Sequence, residues 1–340
     1  MESGIFASAL AIAGCVGGVR TRPIAFSDLS GWDVADHEAA MAAFRATLPL
    51  ARPGGGTTAA DWAALSPFAE DRRPAKRVFE SAFRPVLIDD GGRPLFTGYF
   101  EPELDGARRP QGPYRHPIHA RPADLSDAPY HDAAAIRRGA LEGRGLELLW
   151  LADPVEAFFL HIQGSGRIRL AEGGVARVGF AGKNNRPYVA IGRLLVERGE
   201  LALEQADAET IKAWLRRDEA AGSALMDENP SYVFFEEKPG LSADQGPIGA
   251  LGAPLTPGLS VAVDPALHPL GAPIWVEADG VEGFERKLVV AQDVGGAIKG
   301  AQRGDLFFGS AAEAGALAGR VRAGGRLVTL LPRTAAERLA

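Results

Sequence analysis

The chain has 340 residues, of which 46% are hydrophobic and 24% charged, and carries a net charge of −6 at pH 7. That balance suits a globular protein with a sizeable core and offers no overall basic surface for nucleic acid. No apolar run reaches the roughly 18 residues that a membrane-spanning helix needs, and a single cysteine, Cys15, excludes an intramolecular disulfide.

At the N-terminus, residues 5–14 are apolar and small, and Ile12-Ala13-Gly14-Cys15 has the form of a bacterial lipobox, although Met1-Glu2-Ser3 lacks the usual positive charge. Residues 1–22 are therefore read as a leader outside the fold. Helical spacing follows over 36–48, with Met41, Phe44 and Leu48 on one face, and again over 61–69 and 74–83. Strands are predicted over 86–89 and 94–99, joined by the hairpin signal Asp90-Gly91-Gly92. In Phe96-Thr97-Gly98-Tyr99-Phe100-Glu101-Pro102, polar and aromatic residues alternate, which gives one packed and one wet face. That composition suits stacking on sugar rings, but also an ordinary strand that ends at proline.

Residues 106–132 are rich in proline, arginine and histidine and read as a solvated loop, followed by a helix over 131–144. Asp153-Pro154 is an N-cap and first-turn pair for a helix over 155–161. That helix ends in His161-Ile162-Gln163-Gly164-Ser165-Gly166, which leads into a strand over 167–170. The Gly-x-Gly there has no strand before it and no helix after it, so a dinucleotide site does not fit. Gln163 and Ser165 are instead donors suited to a glycan. A strand over 175–180 leads to Ala181-Gly182-Lys183-Asn184-Asn185-Arg186-Pro187-Tyr188, a loop dense in groups that bind hydroxyls and amides. Helices over 191–199 and 207–217 follow, and an Asn229-Pro230 break enters an aromatic strand.

From Gly246 onward, short strands are expected over 260–264, 273–276, 286–292, 305–308 and 326–331, with a small-residue helix over 311–319. Close spacing and glycine and proline turns point to a small closed barrel. Within it, Asp293 precedes Gly295-Gly296, and Asp305 lies on the next apolar strand, so two strands frame two carboxylates around a tight turn. The six histidines form no helical metal pair, and there is neither a Gly-x-Ser-x-Gly elbow nor a P-loop. Carboxylate chemistry remains, which points to glycoside cleavage.

Taken together, Thr97–Pro102, His161–Gly166, Gly182–Tyr188, Asn229–Phe235, Val263-Asp264-Pro265, Asp293–Gly300 and Gly304-Asp305 resemble the membrane-bound lytic murein transglycosylase A family with its C-terminal three-aspartate (3D) domain. The resemblance implies a mainly β fold with flanking helices: a double-psi β-barrel domain from 23–102 and 237–340, with the 3D part at about 250–335. A smaller inserted β-domain would span 103–236, with a groove between the two. It implies cleavage of the bond from N-acetylmuramic acid to N-acetylglucosamine in peptidoglycan, leaving an anhydro end. It also implies Asp305 as the single acid/base, with Asp293 as the alternative acid, Asp293 and Asp264 otherwise as supporting residues, and Thr97, Tyr99, Glu101, Gln163, Ser165 and Asn185 as groove residues. A periplasmic monomer is expected, either anchored to the outer membrane through lipidated Cys15 or soluble in the periplasm, alone or in cell-wall synthesis or division complexes. No metal, organic cofactor or nucleic acid is expected. Two rivals stay open: a hydrolase pairing Asp305 with Asp293 or Asp264, and a silent glycan-binding scaffold.

Overall fold

The computed structural model describes residues 18–242 and 245–339, which form two β-sheets with helices packed against them. The proposed leader and lipobox through Cys15 lie outside the described residues. In chain order the strands are β1 Arg20–Pro23, β2 Phe83–Asp89, β3 Leu95–Glu101, β4 Glu103–Ala107, β5 His116–His119, β6 Glu147–Leu151, β7 Ser165–Leu170 and β8 Val175–Lys183. They continue as β9 Val233–Glu237, β10 Ser260–Ala262, β11 Pro273–Ala278, β12 Lys287–Asp293, β13 Arg303–Ser310, β14 Arg322–Ala323 and β15 Gly325–Pro332.

The larger sheet has nine strands in the order β1-β2-β15-β11-β12-β10-β13-β3-β14. Its β10–β12 and β13–β3 pairs are parallel, and the rest are antiparallel. Both ends of the chain build it, because β3 is pinned between β13 and β14. Strands β11, β12 and β15 are almost continuously buried, since side chains on both of their faces are covered. Part of that cover is the helix His37–Thr47, capped by Asp36, which accepts from Ala39 N at 3.0 Å. This helix presses Ala40, Met41 and Phe44 into the core, and Phe44, Phe79 and Phe83 pack with ring centroids 5.4–6.0 Å apart. Burying each large apolar side chain contributes roughly 1.5–3 kcal/mol.

The second sheet, ordered β5-β6-β4-β7-β8-β9, is inserted between β3 and β10. Pro102 separates the two sheets within one continuous stretch, and without an N–H it cannot extend the β3 ladder. Helix Pro154–Gln163 covers one face through Ala157 and Leu160, packed with Leu104, Ile168 and Val178. Asp153 caps it, and Gly164 closes it in the left-handed conformation, at φ +77°.

Several expectations change here. Residues Arg20–Pro23 form a strand that pairs with β2, so the end of the segment read as leader is part of the larger sheet. Strands β2 and β3 form no hairpin: β2 pairs with β1 and β15, while β3 pairs with β13 and β14. The Asp90-Gly91-Gly92 turn carries the chain across the sheet instead, and Asp90 accepts from Ala301 N at 2.9 Å. The supposed loop of 106–132 contains β5, which pairs with the unexpected strand β6. The helix expected over 131–144 is only Ala133–Arg137, broken before Gly139 at φ +95°. The helix expected over 61–69 is split into Ala59–Ala63 and Ser66–Ala69, the second with proline in its first turn.

Candidate active site

One row of residues crosses five adjacent strands of the larger sheet, from β12 to β14. Ala262 on β10 is in register with Asp293 of β12 on one side and Asp305 of β13 on the other. Asp305 is in turn opposite Thr97 of β3, and Thr97 is opposite Arg322 of β14. Residues in register share a sheet face, so both aspartates look the same way. Two strand spacings, about 10 Å of backbone, lie between them.

Asp305 is partly buried and accepts a hydrogen bond at Oδ1 from the hydroxyl of Thr97, at 2.5 Å. Among the described residues its Oδ2 has no side-chain or backbone donor. Burial pushes the Asp305 carboxyl above the ordinary carboxylate range, against the opposing pull of the Thr97 hydroxyl and the Arg303 charge. Asp293 is held at both oxygens: Ala250 N–H donates to Oδ1 at 2.9 Å and the Tyr99 hydroxyl to Oδ2 at 3.1 Å. Its carboxyl is also raised by burial, less the effect of these donors, with a further push from Asp305. Tyr99 is itself raised well above the usual phenol range by burial and then by the two aspartates, so it stays a donor. Its ring packs on Phe307, 5.2 Å between centroids, on the same face as Asp305.

Asp264 plays a different part. It is buried and accepts from Ala266 N at 3.2 Å and from Gly300 N at 3.1 Å, with Lys299 Nζ 3.7 Å away. It thereby closes its own turn and ties down the segment that runs from Asp293 to Asp305. His268 supports the same segment from below: Nδ1 meets the Thr329 hydroxyl at 2.7 Å and Nε2 meets Ala301 O at 2.9 Å.

The proposed groove residues divide. Thr97 belongs to the aspartate row, and Tyr99, two residues further along β3 and opposite Phe307, reaches Asp293 with its hydroxyl. Gln163 and Ser165 are partly exposed where β7 begins beside the end of β3, with Arg167 N donating to Pro102 O at 2.8 Å. Among the described residues their side chains have no hydrogen-bond partner, which leaves them available to a ligand. Asn185 turns into its own loop at φ +54° and donates to Ser126 O at 2.7 Å, so its amide nitrogen is committed to that loop.

Glu101 requires a correction. It is 1% exposed and has no free face toward a groove. Its Oε2 accepts from Arg167 Nε at 2.8 Å, Arg177 Nη2 at 2.9 Å and Ser310 Oγ at 2.8 Å, and Oε1 also accepts from Arg177 at 2.9 Å. It is a charge clamp between the two sheets. Neither arginine stood out in the sequence, since arginines on a strand signal nothing without the partner that the fold supplies. Arg303, which donates from Nη2 to Thr97 Oγ1 at 2.8 Å, was missed for the same reason. Its spacing of two residues from Asp305 on one strand was the available sign.

A cavity of about 560 Å³ lies on the other face of β3, lined by Phe100, Pro102, Lys212, Arg216 and Gly315. None of the three aspartates lines it, and its cations are paired, Lys212 with Glu156 at 2.9 Å and Arg216 with Asp153 at 2.7 Å.

Comparison with known proteins bears on this arrangement. Residues 95–236 match the family model of the MltA specific insert domain, and residues 259–331 match that of the 3D domain. The membrane-bound lytic murein transglycosylase A of Vibrio cholerae is 37% identical over 249 residues, which cover 70% of this chain and 66% of that protein. A crystal structure of membrane-bound lytic murein transglycosylase from Agrobacterium tumefaciens superposes with a TM-score of 0.87 at 33% identity, over 94% of this chain and 100% of that one. The Escherichia coli MltA structure with bound chitohexaose gives a TM-score of 0.71 at 27% identity, over 89% and 90% of the two chains.

Proposed function

Because this chain belongs to the membrane-bound lytic murein transglycosylase A family, we propose that it cuts peptidoglycan glycan strands without water. The bond broken is the β-1,4 link from N-acetylmuramic acid to N-acetylglucosamine, and the product carries a 1,6-anhydromuramic end. Asp305 acts twice. It first gives its proton to the glycosidic oxygen while the bond to C1 breaks and that oxygen keeps the electron pair. The sugar's own 6-hydroxyl then attacks the oxocarbenium-like C1, and the hydroxyl proton returns to Asp305. No water is consumed, and the acid is regenerated.

The observation that carries this reading is the asymmetry of the two aspartates. Asp305 has one oxygen engaged by Thr97 and one free among the described residues, in a setting that favours the protonated form. Asp293 has both oxygens engaged. A hydrolase needs a second carboxylate to activate water or attack carbon, and Asp293 is poorly placed for either. A neighbour that holds chitohexaose supports a long β-linked glycan as ligand. The two parallel ladders between strands distant in sequence support a double-psi barrel. The reading includes an envelope location. Among the described residues no helix is long and apolar enough to cross a membrane.

The test is mass spectrometry of the products released from purified peptidoglycan. Anhydromuropeptides are expected from the wild type, none from Asp305→Asn, and a reduced yield from Asp293→Asn. Reducing-end products, or turnover that survives Asp305→Asn, would overturn the reading.

A further inference from the structure

We infer that Arg303 is a positioning residue that fixes which oxygen of Asp305 carries the catalytic proton, acting through the hydroxyl of Thr97. The inference rests on Asp305 being the acid/base. Three groups form a chain: Arg303 Nη2 donates to Thr97 Oγ1 at 2.8 Å, and Thr97 Oγ1 donates to Asp305 Oδ1 at 2.5 Å. A guanidinium can only donate, and a hydroxyl has one proton to give. With Arg303 on a lone pair of Oγ1, the Thr97 proton is directed to Asp305. Oδ1 is then a standing acceptor, and the proton of the acid resides on Oδ2. Both proton transfers use that same oxygen.

The register makes the chain rigid. Arg303 and Asp305 share a face of β13, and Thr97 is opposite Asp305 on β3. Arg303 is fastened to both parallel strands, donating from Nη1 to Leu95 O at 3.2 Å and Gly304 O at 2.6 Å. Among the described ion pairs, Arg303 and Asp305 do not meet directly. A direct pair would hold Asp305 ionised and idle as an acid. Placing a neutral hydroxyl between them transmits the orientation while weakening the electrostatic pull. The other groups that face Asp305 are Tyr99 on β3, Asp293 beyond β10, and Arg322 on β14 opposite Thr97. None of them donates to Oδ1.

The experiment compares the pH dependence of kcat and kcat/KM on purified glycan strands for Arg303→Met, Arg303→Lys, Thr97→Val and Thr97→Ser. Arg303→Met and Thr97→Val are each expected to lower kcat by roughly 10- to 100-fold, part of what general acid catalysis supplies, with little change in KM. Both Thr97 and Arg303 hold the Asp305 carboxyl down. Removing either therefore shifts the alkaline limb, where Asp305 loses its proton, to higher pH. Thr97→Ser and Arg303→Lys are expected to recover toward wild type. The double variant Arg303→Met/Thr97→Val should be no worse than Thr97→Val, because the two act in series. Loss of kcat with an unmoved limb, or losses that multiply in the double variant, would mean that Arg303 is merely structural. Turnover that survives Asp305→Asn would bring down the reaction and this inference together. An inactive Asp305→Asn beside an unmoved limb in Arg303→Met would bring down the inference alone.

Discussion

Replacing Glu101 by glutamine removes one negative charge from a buried site and leaves the shape almost unchanged. In the native protein the carboxylate is 1% exposed, facing Arg167 and Arg177 side chains that are only 14% and 9% exposed. An amide turned with its oxygen at the Oε2 position still accepts from Arg167, Arg177 and Ser310, but its nitrogen then opposes Arg177 Nη2. Both arginines also donate to Gln245 O at 2.9 Å, which softens the loss, whereas Arg177 Nε already lacks a partner. Losing one charge-assisted bond costs about 2–3 kcal/mol. Glu101→Ala, which strands both cations, costs about 3–5 kcal/mol. The assay is urea unfolding followed by tryptophan fluorescence and by residual activity. The two probes should separate in Glu101→Ala, because the clamp joins the sheets and its Ser310 contact ends the strand that carries Asp305. A shift of less than about 0.5 kcal/mol in both variants, with coincident probes, would refute the clamp.

Asp305→Asn should raise the thermal midpoint while abolishing turnover: burial raises the folded carboxyl above its unfolded value, so the ionised form costs stability at neutral pH. A lowered midpoint in differential scanning calorimetry would contradict that. Stability should also fall on acidification. His268, fully buried, is pushed down to about 4, and the unfolded imidazole takes up a proton below about 6.5. Its contribution is intact above the unfolded value and is lost as pH falls, by about 3 kcal/mol at pH 4. His161, pushed down to about 3, acts in the same direction, and Asp293 and Asp305 act oppositely. Urea midpoints that stay flat across this window, or are no flatter in His268→Gln, would count against it. Asp264→Ala should cost about 1–3 kcal/mol through its two lost backbone bonds, with the pH limbs of kcat/KM unmoved; a moved limb would give Asp264 a part in the proton transfer.

Local signals carried much of the fold into the sequence. Asp153 caps its helix as its sequence indicates, and Asp36 and Asp207 cap theirs in the same way, because capping depends on residues three apart or fewer. The strands that hold Asp293 and Asp305 were legible from short apolar runs between glycine turns. What failed to show was pairing at a distance. Asp90-Gly91-Gly92 looks like a hairpin turn, yet the strands on either side find partners more than two hundred residues away, such as Asp305 for Thr97. The same reason hid the role of Glu101: an acidic residue at the end of an aromatic strand suggests a wet groove until two arginines of the inserted sheet close over it. Asp264 and Asp305 are both lone aspartates in sequence, and the backbone N–H groups of Ala266 and Gly300 mark the first as a turn-holding carboxylate, whereas the second keeps an oxygen free among the described residues.

The most direct test of the single-aspartate mechanism is to digest purified peptidoglycan in water enriched with oxygen-18 and weigh the new muramic ends. If the 6-hydroxyl is the nucleophile and Asp305 the only acid/base, the ends are anhydro and carry no label. Labelled reducing ends would contradict that mechanism, because water would then have attacked C1 with the help of a second carboxylate.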